Sequence, residues 1–139
     1  MNRRALLALA ALLAGCQTPH EFAAPDATWR THSGQLKFTS GDRVLIGEVL
    51  VRRRGAAEFQ LEFQKSAGIP LMKIRADAGV ACAEGMLARG SWQGAADQAP
   101  ERLRGWFELR AAFAATPHAD RLTFTPKDSS ERFDFIFSR

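Results

Sequence analysis

The chain has 139 residues, a length that suits one domain and can bury a sizeable core without disulfide bonds. Its formal charge of +4 includes Arg3 and Arg4, and without this N-terminal pair the remaining residues carry +2. The sequence pI of about 9.7 therefore does not indicate a protein that binds nucleic acid.

The N-terminus has the parts of an export signal. Arg3 and Arg4 supply positive charge, and residues 5–14 form an uncharged apolar run. Crossing a bilayer needs roughly 20 apolar residues, so this run is too short to span, but it has the length of a signal-peptide core. The run ends in Leu13-Ala14-Gly15-Cys16. A leucine, two small residues and a cysteine resemble the lipobox of bacterial lipoproteins.

The lipobox resemblance implies lipidation at Cys16. In that family a diacylglycerol is attached to the cysteine sulfur, the signal is cut just before it, and a third acyl chain often follows. Two or three acyl chains hold a protein firmly, whereas one binds reversibly. Gln17 is not the aspartate that retains enteric lipoproteins in the inner membrane, which favours a periplasm-facing place at the outer membrane. The alternative is an ordinary signal peptide with a cysteine at its cleavage site.

The stretch after the anchor is rich in alanine and proline and has little periodicity, which is typical of a linker. We therefore expect a signal peptide over 1–15, a lipidated tether over 16–33 and a β-rich domain over 34–139. Phe22 and Trp29 are the tether residues that could already pack on the domain.

The first half of the domain predicts an antiparallel meander. Polar and apolar residues alternate, as in strands with one buried face, and glycine-containing turns separate the runs. The expected strands are 35–39, 43–54, 58–65, 70–77, 80–83 and 86–92. Gly47, inside the second strand, is a candidate for a bulge.

The second half predicts one helix and a hairpin. Pro100 suits a first helical turn, and the Thr116-Pro117 pair stops the helix, which we expect over 100–114. Its apolar stripe would contain Leu103, Trp106, Phe107, Arg110, Ala111 and Ala114. Strands at 121–125 and 132–137 close the chain around a turn.

This order of elements predicts a mainly β, α+β fold. We expect a curved antiparallel sheet or half-barrel of about seven or eight strands, with one covering helix inserted before a C-terminal hairpin. One helix covers a strip roughly 10 Å wide, and six strands about 4.8 Å apart make a sheet more than twice as wide. Either the apolar face of this sheet stays partly open, or the sheet curls tightly and its own aromatic side chains fill the interior. The candidate ligand-binding residues on that face are Phe59, Leu61, Phe63, Phe133, Phe135 and Phe137.

An anchored cysteine, a meander, an inserted helix and returning strands resemble the LolA/LolB lipoprotein-carrier superfamily. The segment Gly68-Ile69-Pro70-Leu71 is similar to the family's paired strands around a Gly/Pro turn. In that family an unclosed barrel capped by helices encloses a cavity for acyl chains. The resemblance implies binding or transfer of acyl chains or lipoproteins, with Ile69 or Leu71 comparable to an exposed loop leucine of the membrane-anchored member. The alternative function is a non-catalytic anchored adaptor in an envelope assembly.

We expect no enzymatic activity, no metal site and no cofactor. His20, His32 and His118 are scattered, and none has a second ligand at metal-binding spacing. Ser33 and Ser91 are not in a nucleophile elbow, and no glycine-rich loop precedes a helix.

Two further features allow alternative interpretations. Cys82 has no partner once Cys16 is acylated, and its alanine-rich surroundings predict a buried, inert thiol rather than a reactive one. Residues 52–54 are three arginines beside a turn. They form either a solvated hairpin tip or a site for anionic lipid headgroups or phosphates.

Overall fold

The computed structural model of the chain describes residues 20–66 and 68–139. The predicted signal peptide (1–15) and the lipidation site Cys16 lie outside these residues. Among the described residues, no helix is both long and apolar enough to cross a membrane. The strands are β1 (Arg30–Ser40), β2 (Arg43–Arg54), β3 (Glu58–Lys65), β4 (Ile69–Ala76), β5 (Ala81–Gly85), β6 (Gly90–Gly94), β7 (Arg121–Phe124) and β8 (Glu131–Phe137).

The eight strands form one open antiparallel sheet in the order β6-β5-β4-β3-β2-β1-β8-β7. A short 3-10 turn (Ala96–Gln98) and the helix α1 (Glu101–Ala115) connect β6 to β7. The predicted fold class is therefore confirmed, with one helix inserted before the C-terminal strands. The last hairpin adds to β1, so the first strand lies inside the sheet and β6 and β7 are its edges.

The sheet begins earlier than the sequence predicts. β1 starts at Arg30, so the predicted tether boundary at residue 33 lies inside a strand. Thr31 and Ser33 are exposed and give no apolar signal, yet their backbone lies opposite Arg52 and Leu50 of β2. β2 has twelve residues, so it is long enough to pair with β1 back to Arg30. This pairing provides hydrogen-bond partners for the backbone N–H and C=O groups at the start of β1.

Two irregular positions also differ from the prediction. Gly47 is not in a bulge, because it stands in regular register with Leu36. A Cβ at Gly47 would lie 2.1 Å from the carbonyl oxygen of Gln64, so glycine allows a close approach of β2 to β3. The register shift is instead in the β3–β4 pair, where Leu71 is skipped.

The sixth strand is Gly90–Gly94 rather than 86–92. Residues 86–89 form a turn, and Arg89 within it has a φ of 55°, which is typical of turns rather than strands. The preceding Met86 is 62% exposed in that turn.

The helix packs on one face of the sheet, which we call the inner face; the opposite side is the outer face. Trp106 lies at the centre, with its ring 4.8 Å from those of Phe38 and Phe133. The predicted stripe was wrong at Ala111 and Ala114, which are exposed. The helix instead buries Leu103, Gly105, Trp106, Phe107, Leu109 and Phe113. Residues three or four positions apart lie on the same face of a helix. Such steps lead from Leu103 to Leu109 and Phe113 as well as to Ala111 and Ala114, so the spacing alone did not distinguish the two sets.

Candidate functional site

The six predicted ligand-binding residues all lie on the inner face, but in two strands that are not neighbours. β3 and β8 are separated by β2 and β1, which is a distance of about 14 Å across three strand spacings. All six are buried: Phe59 is 1% exposed, Leu61 0%, Phe63 0%, Phe133 0%, Phe135 1% and Phe137 8%.

Helix side chains occupy the space between these two strands. The ring of Phe113 lies 5.7 Å from Phe59 on one side and 5.1 Å from Phe135 on the other. The ring of Trp106 lies 6.1 Å from Phe63 in the same way. The predicted residues therefore form a packed aromatic core, and the rings of α1 take the place that an acyl chain would need.

The N-terminal segment, residues 20–29, lies on the outer face. Trp29 is only 8% exposed, and the guanidinium of Arg54 lies 5.4 Å from the centre of its ring. Gln60 donates a hydrogen bond to the carbonyl oxygen of Ala23 at 3.5 Å. The expected packing of Trp29 on the domain is confirmed, and Phe22 is partly buried. From His20 onward the predicted tether is thus part of the folded surface.

Asp77, directly after β4, joins three parts of the molecule. Its carboxylate accepts hydrogen bonds from the backbone N–H groups of Gly79 and Val80 at 3.0 and 2.9 Å, and lies 2.6 Å from Nε2 of His20. Its carbonyl oxygen accepts a hydrogen bond from Arg110 of α1 at 2.6 Å. Burial raises the pKa of Asp77, but the hydrogen bonds outweigh it, and the pKa lies below its ordinary value.

A groove of about 280 Å³ runs over the outer face of β4, β5 and β6, with the N-terminal segment as one wall. We call it the Arg75 groove. Its lining is His20, Phe22, Lys73, Arg75, Cys82, Ala83, Glu84, Ser91, Trp92 and Gln93. The Nζ atom of Lys73 lies 3.8 Å from Glu84, and the two side chains are 35% and 60% exposed.

Cys82 lies on the floor of this groove and is half-buried, not fully buried as the sequence predicts. Burial raises the pKa of its thiol above the ordinary value, although the nearby cations Arg75 and Lys73 act against it. Cys82 is partly exposed because it stands opposite Arg75 in the β4–β5 pair, and residues that stand opposite each other point to the same face, here the outer one.

The arginines of residues 52–54 do not act together. Arg53 is on the inner face, is 8% exposed, and donates to the carbonyl oxygen of Pro117 at 2.6 Å. Arg54 binds Glu58 through two hydrogen bonds of 2.8 and 2.9 Å and also covers Trp29. Two of the three guanidinium groups are therefore engaged within the protein rather than at a common basic tip.

The outer face has a second concavity, of about 470 Å³, over β1, β2 and β3. Its charged lining residues are Glu48 and Glu62, between neutral amide and hydroxyl side chains. Nearby on the same face, three apolar side chains are about half exposed: Val44 at 50%, Ile46 at 59% and Ile136 at 51%.

The histidines and serines considered from the sequence lie in different places. His20 binds Asp77, whereas Nδ1 of His118 accepts a hydrogen bond from the guanidinium of Arg30 at 3.1 Å. The ring of His32 lies 5.5 Å from that of Phe137. Within residues 20–66 and 68–139, no three His, Cys, Asp or Glu residues are grouped as a metal ion would require. Ser33 lines the second concavity, and Ser91 lines the Arg75 groove.

The chain matches no protein-family model and no curated protein sequence.

Proposed function

We propose that the chain is an exported bacterial lipoprotein, acylated at Cys16, whose domain is a non-catalytic adaptor held at the periplasmic surface of the outer membrane. The observation that carries the adaptor function is the filled interior. Trp106 and Phe113 of α1 occupy the space between the apolar residues of β3 and β8, and those residues are at most 8% exposed. Because these side chains fill the inner side of the sheet in the part of the chain that the structure describes, recognition is assigned to the outer surface.

The docked N-terminal segment sets how far the domain can move from its anchor. His20 is held on the domain by Asp77, and it follows Cys16 by four residues. A fully extended chain spans at most about 3.6 Å per residue, so His20 lies within about 14 Å of the acylated cysteine. The domain would therefore rest close to the membrane, and a partner would meet it there.

The proposed partner surface is the outer face around β1. Lys37 of β1 stands between Ile46 of β2 and Asp134 of β8, while Gln35 stands between Glu48 and Ile136. Apolar side chains with both signs of charge around them are typical of a polar, non-obligate protein interface.

The anchor is tested by mass spectrometry of protein extracted from membranes. We expect a mature chain that starts at Cys16 and carries acyl mass, and we expect a Cys16→Ser variant to remain unprocessed. An unmodified chain that keeps Met1, or normal processing of the variant, would contradict the proposal.

The adaptor function is tested by cross-linking in intact cells. A specific cross-linked complex should disappear when Ile46 and Ile136 are both changed to lysine. The matched control is Met86→Lys, because Met86 is also exposed, at 62%, but lies in the β5–β6 turn. Complexes that persist in the double variant, or that the control also removes, would count against this surface.

A carrier of acyl chains is the second candidate. The open sheet with one helix on its inner face supports it, since the LolA/LolB resemblance implies this arrangement. Binding would then require α1 to leave the sheet. The test is saturable binding of a fluorescent fatty acid to the Cys16→Ser chain, together with Leu61→Trp. Saturable binding that Leu61→Trp weakens would favour the carrier over the adaptor.

A further inference from the structure

The Arg75 groove brings two cations to one strip of the outer face. Lys73 and Arg75 are two residues apart on β4, so their side chains point to the same side about 6.6 Å from each other. The next strands add the hydroxyl of Ser91 and the amide of Gln93, which can both donate hydrogen bonds. One carboxylate, Glu84, leaves a local charge of +1 on this floor.

Arg75 is not engaged within the protein in the way that Arg53, Arg54 and Arg110 are. Arg53 and Arg110 each donate to a backbone carbonyl oxygen at 2.6 Å, and Arg54 binds a carboxylate. Among residues 20–66 and 68–139, the guanidinium of Arg75 has no hydrogen-bond acceptor and no ion pair, although the residue is only partly exposed. Among the same residues, the one ion-pair partner of Lys73 is Glu84, at 3.8 Å, and this pair is weak because the distance is long and the Glu84 side chain is 60% exposed.

The groove is also next to the point where the chain leaves for its anchor. His20 and Phe22 form one wall of the groove, and His20 lies within about 14 Å of Cys16. The headgroup region on each side of a bilayer is about 5–8 Å thick. If Cys16 is acylated, a reach of this length keeps the groove near the membrane surface and allows it to contact the lipid headgroups.

We infer that the Arg75 groove binds the phosphate group of an anionic phospholipid headgroup; this inference rests on the proposed lipid anchor. The planar guanidinium of Arg75 and the ammonium of Lys73 are the two side-chain types that bind phosphate best. Binding would give Arg75 its missing acceptor and would orient the domain on the membrane with β4–β6 toward the headgroups.

Cys82 reports on occupancy because it lies on the groove floor. In the full-length chain with Cys16→Ser, Cys82 is the one remaining cysteine. The experiment measures the rate of maleimide addition to Cys82 in neutral detergent, while short-chain phosphatidylglycerol, short-chain phosphatidylcholine or inorganic phosphate is added. We expect phosphatidylglycerol to slow the reaction saturably, and the other two to protect weakly.

For each variant, the maleimide rate with lipid is compared with the rate of the same variant without lipid, because replacing a nearby cation also changes the reactivity of the Cys82 thiol. Arg75→Gln and Lys73→Gln should each raise the half-protecting concentration of phosphatidylglycerol by about tenfold, the factor that corresponds to 1.4 kcal/mol. Lys127→Gln is the matched control, since Lys127 is an exposed cation in the turn between β7 and β8, outside the groove, and it should leave the concentration unchanged.

Three results would overturn the inference. If inorganic phosphate protects Cys82 as well as phosphatidylglycerol does, the groove binds a free anion. If phosphatidylcholine protects Cys82 as well as phosphatidylglycerol does, the groove does not recognise the net negative charge of the phospholipid. Unchanged protection in Arg75→Gln and Lys73→Gln would exclude these residues as the binding groups. Because the assay uses a chain that cannot be acylated at Cys16, a protected groove would stand even if the anchor proposal failed, and an unprotected groove would leave that anchor untouched.

Discussion

Truncation of Trp106 should be the most damaging single change in the helix. The side chain is 1% exposed, and its ring faces those of Phe38, Phe63 and Phe133 at 4.8, 6.1 and 4.8 Å. Removing a buried aromatic ring costs about 3–5 kcal/mol, and each aromatic pair adds roughly 0.5–1.5 kcal/mol beyond its buried area. We therefore expect Trp106→Ala to lower the free energy of unfolding by about 5 kcal/mol.

Phe107 gives the comparison within the same turn of α1. It is 7% exposed, and its one ring partner among the described residues is Trp92, at 5.5 Å. Phe107→Ala should therefore cost about 3 kcal/mol, at the lower end of the same range. With about 4 °C of melting temperature per kcal/mol, the two variants should melt about 20 and 12 °C below the parent.

The assay is urea and thermal unfolding followed by far-UV circular dichroism. Small domains are stable by about 5–15 kcal/mol, so Trp106→Ala has the greater risk of not folding, and Trp106→Phe then serves as the measurable variant. A Trp106→Ala protein within about 1 kcal/mol of the parent, or a Phe107→Ala protein that is the less stable of the two, would refute the packing described for α1.

Three further variants test other parts of the fold. Gly47→Ala should lose about 3 kcal/mol of stability in urea unfolding, because its Cβ would lie 2.1 Å from a carbonyl oxygen of β3; an unchanged midpoint would contradict that approach. Burial raises the pKa of Glu131, so the folded state binds its proton more tightly than the unfolded state does. The stability that this proton contributes is complete below the ordinary glutamate pKa of about 4.3 and is lost as the pH rises through the pKa of the folded state. Glu131→Gln should therefore stabilise the domain at neutral pH and not at acidic pH. Equal changes in the free energy of unfolding at both pH values would contradict the raised pKa. His20→Ala removes the contact with Asp77 and should speed protease cleavage between residues 20 and 28 with little change in melting temperature, whereas unchanged cleavage would show that the contact does not hold the segment.

Most of the sheet could be predicted because one buried face imposes a period of two on the sequence. The predicted limits of β2 and β3 agree with the structure, and the inner face carries the expected apolar residues. The early start of β1 could not be predicted, since residues 30–33 are polar on the outside and depend on β2 for their ladder. Gly47 was misinterpreted because the sequence does not show how closely a neighbouring strand approaches.

The Arg75 groove could not be predicted from the sequence. It combines residues of β4, β5 and β6 with His20, and the contact of His20 with Asp77 spans 57 positions. The β4–β5 register decides that Cys82 stands opposite Arg75, and a shift by one residue would have turned the thiol inward. A regular turn at Asp77 was predictable, but the contacts of Asp77 with His20 and Arg110 were not.

The interior position of β1 has a consequence for how the chain folds. β1 pairs with β2 on one side and with β8 on the other, and Phe38 stands opposite Phe133 some 95 positions later. Contacts so distant in sequence form slowly, because a long loop must close first. While β8 is still emerging, the meander can assemble with Leu36 and Phe38 bare on one flank, and exposed strand flanks of this kind invite aggregation. A chain that stops before β8 would keep this flank open, so chaperones and proteases should distinguish it from a chain that contains β8.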